Sequence, residues 1–454
     1  MAKEISKDHS KDMTVGVPTT LILSFMLPMM MGNIFQQFYN IVDTIIAGRF
    51  IDAKALAAVG STGSITNLFF ALGNGLATGI GVLVSHSFGS GDMKSLKRVI
   101  TNAFCIVSLT SLFVGGLGCA LSRFVLTNFL KTPAEILDMA ASYMAITCIG
   151  FIGTALYNTI SYIMRGVGDS QTPLYFLIAS SFINVGMDLL FVIVFDMGVV
   201  GLAVATITAQ VISAAGSITY AFLKNPFFKI EKSDWKLDFD IISKCYKLGG
   251  SMALQSGLIA LSFVILQRVI NSFDYMVVAA FTTTSKIENI VNMQFKALQD
   301  SLSTYTGQNI GAKKGDRVKQ GFKSGATMMA VYAVVMIIVM ALLGDVLVRI
   351  FIDGSETEII AFGSKAMRIL SAFYLPLGMI YVCRGILNGA GDAKFPIISG
   401  VAEMTGRVVF PALLCSLPFF GAWGLWVATG VTWTIVGTTA FVRYNMKDWR
   451  NGLF

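Results

Sequence analysis

Two carboxylates stand in stretches of this chain that are otherwise almost wholly apolar. Asp188 lies in FINVGMDLLFVIVF (182–195), with Asn184 one helical turn before it on the same face. Asp43 lies in NIFQQFYNIVDTIIAG (33–48), where Asn33, Gln36, Asn40 and Asp43 recur at helical spacing and make one face polar. No basic residue lies within a helical turn of Asp188, so no local ion pair accounts for it. Asp43 comes late in its run, where a helix-end position is the plainer alternative. An ionised Asp at mid-bilayer costs ~2.5–3.5 kcal/mol on insertion scales, and such residues as a rule face a cavity and carry function. If the two acids meet in a dry place, joint ionisation is disfavoured, and either a proton or a small cation relieves it. A neutral oxygen such as that of Asn184 suits a hard cation, Na⁺ for example. A second polar stripe, Glu288, Asn292, Lys296, Gln299 and Ser303, follows i, i+4, i+8, i+11, i+15. Local pairs at i, i+4, Lys296 with Asp300 and Glu403 with Arg407, are its bland reading. The other reading is a wet, charged cavity lining, for which Gln36, Asn40, Glu288, Asn292, Lys296 and Gln299 are the candidates.

The elements that position these groups are membrane helices. The 454 residues are 55% hydrophobic and only 13% charged, where soluble domains carry about 25% charged residues. Charge-poor runs cover 13–42, 55–85, 99–122, 139–164, 170–195, 197–223, 248–267, 324–344, 369–383 and 408–442. The last is too long for one span of ~20 residues, and Pro418 with GAWG (421–424) divides it. The weaker stretch 275–303, interrupted by Lys286, Glu288, Lys296 and Asp300, completes twelve. The expected fold class is therefore an all-α integral membrane protein with twelve transmembrane helices in two pseudo-symmetric six-helix lobes. The net charge of +8 sits in short loops, notably 224–236 and 311–319, and near the ends of the chain. The positive-inside rule then places both termini in the cytoplasm of a bacterial-type plasma membrane. No basic helix or aromatic-basic module points to nucleic acid. The six cysteines form no CxxC pair, and with two histidines a metal site is not expected; no cofactor is implied beyond a coupling ion. The polar N-terminus lacks the architecture of a cleaved signal peptide. No GxSxG, HExxH or paired-His constellation suggests an enzyme.

An internal repeat organises the chain. RGVGDSQTP (165–173) matches NGAGDAKFP (388–396), and GVVGLAVAT (198–206) matches GAWGLWVAT (421–429), both at an offset of 223 (389 − 166 and 424 − 201). In the second pair six of nine residues are identical. A third echo, SHSFGSGD (85–92) with GQNIGAKKGD (307–316), falls near the same offset. The Gly/Pro/Asp motifs read first as tight turns at helix ends. The halves are 1–223 and 241–454, joined by 224–240. Two-lobed repeats of this kind belong to transporters that work by alternating access. The offset carries Asn184 to Arg407 and Asp188 to Pro411, so the acids belong to the first half alone. Pro28, before Met29–Met31, frees a backbone carbonyl within the first span and favours a bend there.

Taken together, LPMMMGNIFQQFYNIVDT (27–44), RGVGD with its following proline, INVGMD with GLAVAT, and GQNIGA (307–312) resemble the multidrug and toxic compound extrusion (MATE) family over essentially the whole chain. The resemblance implies a V-shaped, two-lobed antiporter, acting as a monomer, that exports organic cations and drugs in exchange for H⁺ or Na⁺. It implies an ion-coupling site at Asp43, Asn184, Asp188 and Thr206, with Pro28 as the hinge of the first helix. It points to the DinF-like branch, coupled in the first lobe, and away from the NorM-like branch, whose acids on the seventh and tenth helices have no counterpart in 248–267 and 369–383. His86 stands where the family usually has Gln. The rival reading within the superfamily is a flippase for a lipid-linked precursor, with Arg384 and Arg407 as the candidates to bind pyrophosphate. A major-facilitator transporter is a more distant alternative, since GSGDMKSLKR only loosely resembles that family's loop signature.

Overall fold

The computed structural model describes residues 10–446 of the chain. The terminal basic residues Lys3, Lys7, Lys447 and Arg450, which enter the loop-charge argument, lie outside the described residues. Fourteen α-helices run through the rest: α1 Pro18–Ile46, α2 Ala53–Ser90, α3 Met93–Asn128, α4 Ala134–Ile149, α5 Phe151–Gly166, α6 Gln171–Leu189, α7 Gly198–Lys224, α8 Phe239–Ile270, α9 Tyr275–Gly311, α10 Gly315–Arg349, α11 Thr357–Ser371, α12 Tyr374–Gly389, α13 Lys394–Ser416 and α14 Gly424–Asn445. No strand occurs among the described residues. Aspartates start several helices: Asp52, Asp92 and Asp274 each accept a backbone N–H from the first turn, of Ala55, Ser95 and Val277.

Among the described residues nine helices are long and apolar enough to span a bilayer, and two bent pairs raise the number to eleven. The twelfth is α9, 37 residues long, which falls short in apolarity because of the charges already noted in 275–303. The division of 408–442 falls as expected, between Ser416 and Gly424.

The fourth and tenth spans, read as single runs, are instead broken. α4 and α5 bend by 42°, and α11 and α12 by 51°. The breaks correspond by the repeat, and so does what packs against them. A Cβ on Gly150 would sit 2.1 Å from Ile207 Cγ1 of α7, and a Cβ on Gly430 of α14 would sit 2.2 Å from the Phe373 ring. Both partners obey the offset (373 − 150 and 430 − 207), with large and small exchanged. In the first half the broken helix supplies the hole, and in the second it supplies the knob.

The chain forms two compact units, one of Met1–Asp12 with Leu27–Ala253 and one of Met13–Met26 with Leu254–Phe454. One division falls before α1, one inside α1 and one inside α8. In α8 the reason is close backbone packing: Cβ atoms on Gly75 and Gly79 of α2 would lie 2.2 Å from Ala253 N and 2.4 Å from Gly249 N. Only glycine permits such an approach. The linker itself is pinned to α3, where Thr101 Oγ1 donates to the Asp234 carbonyl and Asn102 Nδ2 to the Lys236 carbonyl.

The repeated motifs resolve as turns. Gly168 and Gly391 both adopt left-handed backbone, φ +89° and +82°. Asp169 then accepts the N–H groups of Gln171 and Thr172, and Asp392 those of Lys394 and Phe395. GQNIGA serves as an anchor for the N-terminal segment. Met13 N–H donates to Gln308 Oε1 at 2.8 Å, and Asn309 Nδ2 donates to the Met13 carbonyl at 3.1 Å.

Candidate functional site

The first unit brings its two acids together. α1 carries Asp43 near its C-terminal end, and α6 carries Asp188 at its own. Each helix then continues into one π-helical turn, Ala47–Ile51 after α1 and Leu190–Val194 after α6. Ile46 and Ala47 pack with Val192 of α6's π-turn and Leu202 of α7 in one buried apolar cluster. π-turns of this kind occur often at functional sites, because the extra residue re-aims the side chains around it. The apolar cluster thus sets the ends of α1 and α6 side by side.

The Asp43 and Asp188 carboxyl groups meet there. Asp188 is 0% exposed, and Asn184 is buried one turn above it. Neither Asp188 oxygen, neither polar atom of the Asn184 amide, nor Asp43 Oδ1 makes a well-formed hydrogen bond. Buried polar groups are nearly always paired, so such a concentration of unsatisfied oxygens is exceptional. Thr206, on α7, spends its hydroxyl proton on the Leu202 carbonyl at 3.0 Å, which leaves its oxygen lone pairs as the available function. Gln36 and Asn40 lie exposed along α1, where Asn40 Nδ2 donates to Gln37 Oε1. α1 runs through Pro28 as one helix.

Two tyrosines that the sequence does not single out lie by this site, and one buried amide stands on α7. Tyr39 lies within the field of Asp43, and Tyr143 of α4 within that of both carboxylates. Gln210, one turn beyond Thr206 on α7, has a buried side-chain oxygen without a partner. Tyr39 stands at i−4 from Asp43, on the same helix. Tyr143 reaches the site only through tertiary packing.

The second unit holds a separate polar cluster. Glu288 is buried, and its two oxygens accept from Asn292 Nδ2 at 2.9 Å and Tyr374 Oη at 3.0 Å. Asn292 Oδ1 in turn accepts from Tyr381 Oη at 3.1 Å. Lys296 is exposed, and Gln299 Oε1 is buried without a partner. The Glu403–Arg407 pair forms at 2.7 Å, and Arg384 of α12 joins the same carboxylate at 3.1 Å. The two arginines considered for pyrophosphate therefore share one glutamate, which removes half of their charge.

A family model named MatE matches this chain twice, over residues 28–190 and 251–413. The chain belongs to the MatE family. The two matches are themselves offset by 223 residues (251 − 28 and 413 − 190), so the family unit is the half-chain and the repeat seen in the sequence is its duplication. Among its curated relatives, the probable multidrug resistance protein YpnP of Bacillus subtilis is 30% identical over 446 residues, covering 97% of both chains. The multidrug export protein MepA of Staphylococcus aureus (strain MSSA476) is 21% identical, covering 91% of this chain and 89% of MepA. Of solved structures, a MATE in complex with MaL6 superposes with a TM-score of 0.90 at 19% identity, covering 96% of this chain and 97% of that one. A multidrug resistance MATE family transporter of the MOP superfamily in an outward-facing conformation gives 0.88 at 19%, with the same coverage. This member of the MatE family is thus an all-helical, multi-pass membrane protein built from two duplicated halves.

Proposed function

We propose that this MatE-family chain is an ion-coupled exporter of small organic compounds, mostly cationic and including drugs, working by alternating access. The observation that carries the reading is Asp188, fully buried beside Asp43 with neither oxygen hydrogen-bonded. A carboxylate left so is destabilised by several kcal/mol when charged and alone. Taking up one proton or one Na⁺ relieves the pair, and the oxygens of Asn184 and Thr206 complete the coordination in the Na⁺ case. Ion entry then biases the first unit toward the conformation that releases the drug, and Pro28 lets α1 follow. Both the ion and the drug must distinguish the two conformations for the exchange to be coupled. The acids of this site are in the first half, and α12 contains none, which supports the DinF-like branch. YpnP and MepA are named for multidrug resistance and export, which supports drugs as cargo. We place the protein in the bacterial plasma membrane as a monomer with both termini cytoplasmic.

A lipid-linked flippase is disfavoured by the second unit. Arg384 and Arg407 bound to one Glu403 leave a single positive charge, too little to match a pyrophosphate. The deciding measurement is export in proteoliposomes with the Na⁺ and pH gradients imposed separately. One gradient should drive uptake of a cationic dye into inside-out vesicles, and Asp43→Asn and Asp188→Asn should each abolish it. Full transport in both variants would remove the site from the mechanism.

A further inference from the structure

The repeat offset leads from the acid site to a second one. Adding 223 carries Ser161, Ser180 and Asn184 of the first unit to Arg384, Glu403 and Arg407 of the second (384 − 161, 403 − 180 and 407 − 184). Three neutral positions of the first half, among them Asn184 one turn from Asp188, are therefore charged in the other half, and all three residues there are buried. Arg384 Nη2 donates to Glu403 Oε2 at 3.1 Å and to Ser399 Oγ at 2.9 Å. Arg407 Nη2 donates to Glu403 Oε1 at 2.7 Å, while its Nη1 reaches Ser262 Oγ at 3.5 Å.

Two guanidinium groups that stay protonated against one carboxylate leave one positive charge inside the unit. Among the described residues no second carboxylate is hydrogen-bonded to either arginine. Glu288 lies within the field of Arg407 but spends its two oxygens on Asn292 and Tyr374. The Tyr381 ring near Arg384 and the Phe263 ring 4.0 Å from Arg407 present π faces, which attract a cation without accepting its N–H groups in the plane. Arg384 Nε is buried with no acceptor at all. Phe263, whose ring covers Arg407, is itself 51% exposed.

We propose that Arg384 and Arg407 form a binding subsite for one singly charged oxyanion group. It is the carboxylate of a zwitterionic or amphiphilic compound, or the phosphodiester of a lipid headgroup. A single oxyanion cancels the residual charge and supplies the acceptor that Arg384 Nε lacks, with the charge-assisted geometry that guanidinium favours. Glu403 holds the two arginines at fixed spacing and makes the subsite selective for one negative charge.

The test uses the full-length protein in phosphatidylcholine nanodiscs and two fluorescent dyes, rhodamine 110 and its methyl ester rhodamine 123, which differ by one free carboxylate. Anisotropy titrations should show the acid binding about tenfold more tightly than the ester, the increment expected of a charge-assisted hydrogen bond. Arg384→Gln and Arg407→Gln each leave a balanced Arg–Glu pair, so both should fold, and in both the preference should fall to about one. Asp188→Asn should leave the preference unchanged, which separates this subsite from the ion-coupling site. Adding phosphatidylglycerol to the nanodiscs identifies the source. Loss of the preference makes a lipid phosphodiester an occupant of the same subsite, and its persistence assigns the subsite to soluble carboxylates. Equal affinity for the two dyes in phosphatidylcholine, or a preference that survives both arginine substitutions, overturns the proposal.

Discussion

Replacing Asp188, Asp43 and then both by asparagine tests whether the two acids act as one site. Asparagine keeps the shape of aspartate and removes its charge. Two carboxylates ~4 Å apart at an effective dielectric constant of ~20 repel by about 4 kcal/mol. That is roughly a factor of 10³ against the doubly ionised pair. Under this constraint one cation is held by both residues together, and neither acid alone can reproduce the arrangement. Each single substitution should therefore cut ion-driven dye export by on the order of 10²–10³, and the double substitution should cost no more than either single, the non-additivity expected of residues acting as a unit. Because Asp188 is 0% exposed and both its oxygens lack partners, Asp188→Asn should also raise the melting temperature in detergent while export is lost. The assay is dye efflux in proteoliposomes with imposed gradients, read beside a thermal melt of the same preparations. A double variant whose loss equals the product of the two single losses would refute the shared-ion argument, because it would mean that the acids work independently.

The remaining predictions concern the scaffold. Glu403→Gln leaves two buried arginines facing each other without their acid and should cost about 3–5 kcal/mol, visible as a much larger fall in melting temperature than Arg407→Gln causes. Gly79→Ala places a methyl 2.4 Å from Gly249 N of α8, against backbone that cannot give way, and should destabilise by at least ~1–3 kcal/mol, measured as lost monodisperse protein on size exclusion after heating. Asn309→Ala removes the donor to the Met13 and Tyr305 carbonyls and the acceptor of Arg317 Nε. It should cost about 1–3 kcal/mol for the buried groups left unpaired and should expose the segment around Met13 to limited proteolysis.

Much of the architecture was legible because bilayer and repeat both act on sequence directly. Apolar runs of the right length marked the spans, including the split after Ser416, and identical turn motifs 223 residues apart marked the halves. The bends in the fourth and tenth spans were not legible, since nothing in 139–164 or 369–383 interrupts apolarity. At the breaks a large side chain packs against a glycine, Ile207 on Gly150 and Phe373 on Gly430, a pairing that only the folded chain shows. Asp43, Asn184 and Asp188 were visible as polar residues where hydrocarbon was expected, and burial at one place follows from the apolar cluster of Ile46, Ala47, Val192 and Leu202. Tyr143 was invisible, because its approach to the acids depends on how α4 is docked. The i, i+4 spacing identified Glu403–Arg407 as a pair, but spacing within one helix carries no sign of Arg384 arriving from α12.

Duplication relates the two halves in packing as well as in sequence. The contact of Gly150 with Ile207 survives in the second half with its sizes exchanged, so the shape was kept while the residues moved. The polar places were under no such constraint, because a buried polar group is stable only with its own partners. In the first half Asn184 stands one turn from Asp188, whose carboxyl group meets that of Asp43. In the second half the counterpart of Asn184 is Arg407, which shares Glu403 with Arg384. The acids themselves have apolar counterparts, Leu266 for Asp43 and Pro411 for Asp188, so the halves differ at these positions in whether a charge is present at all.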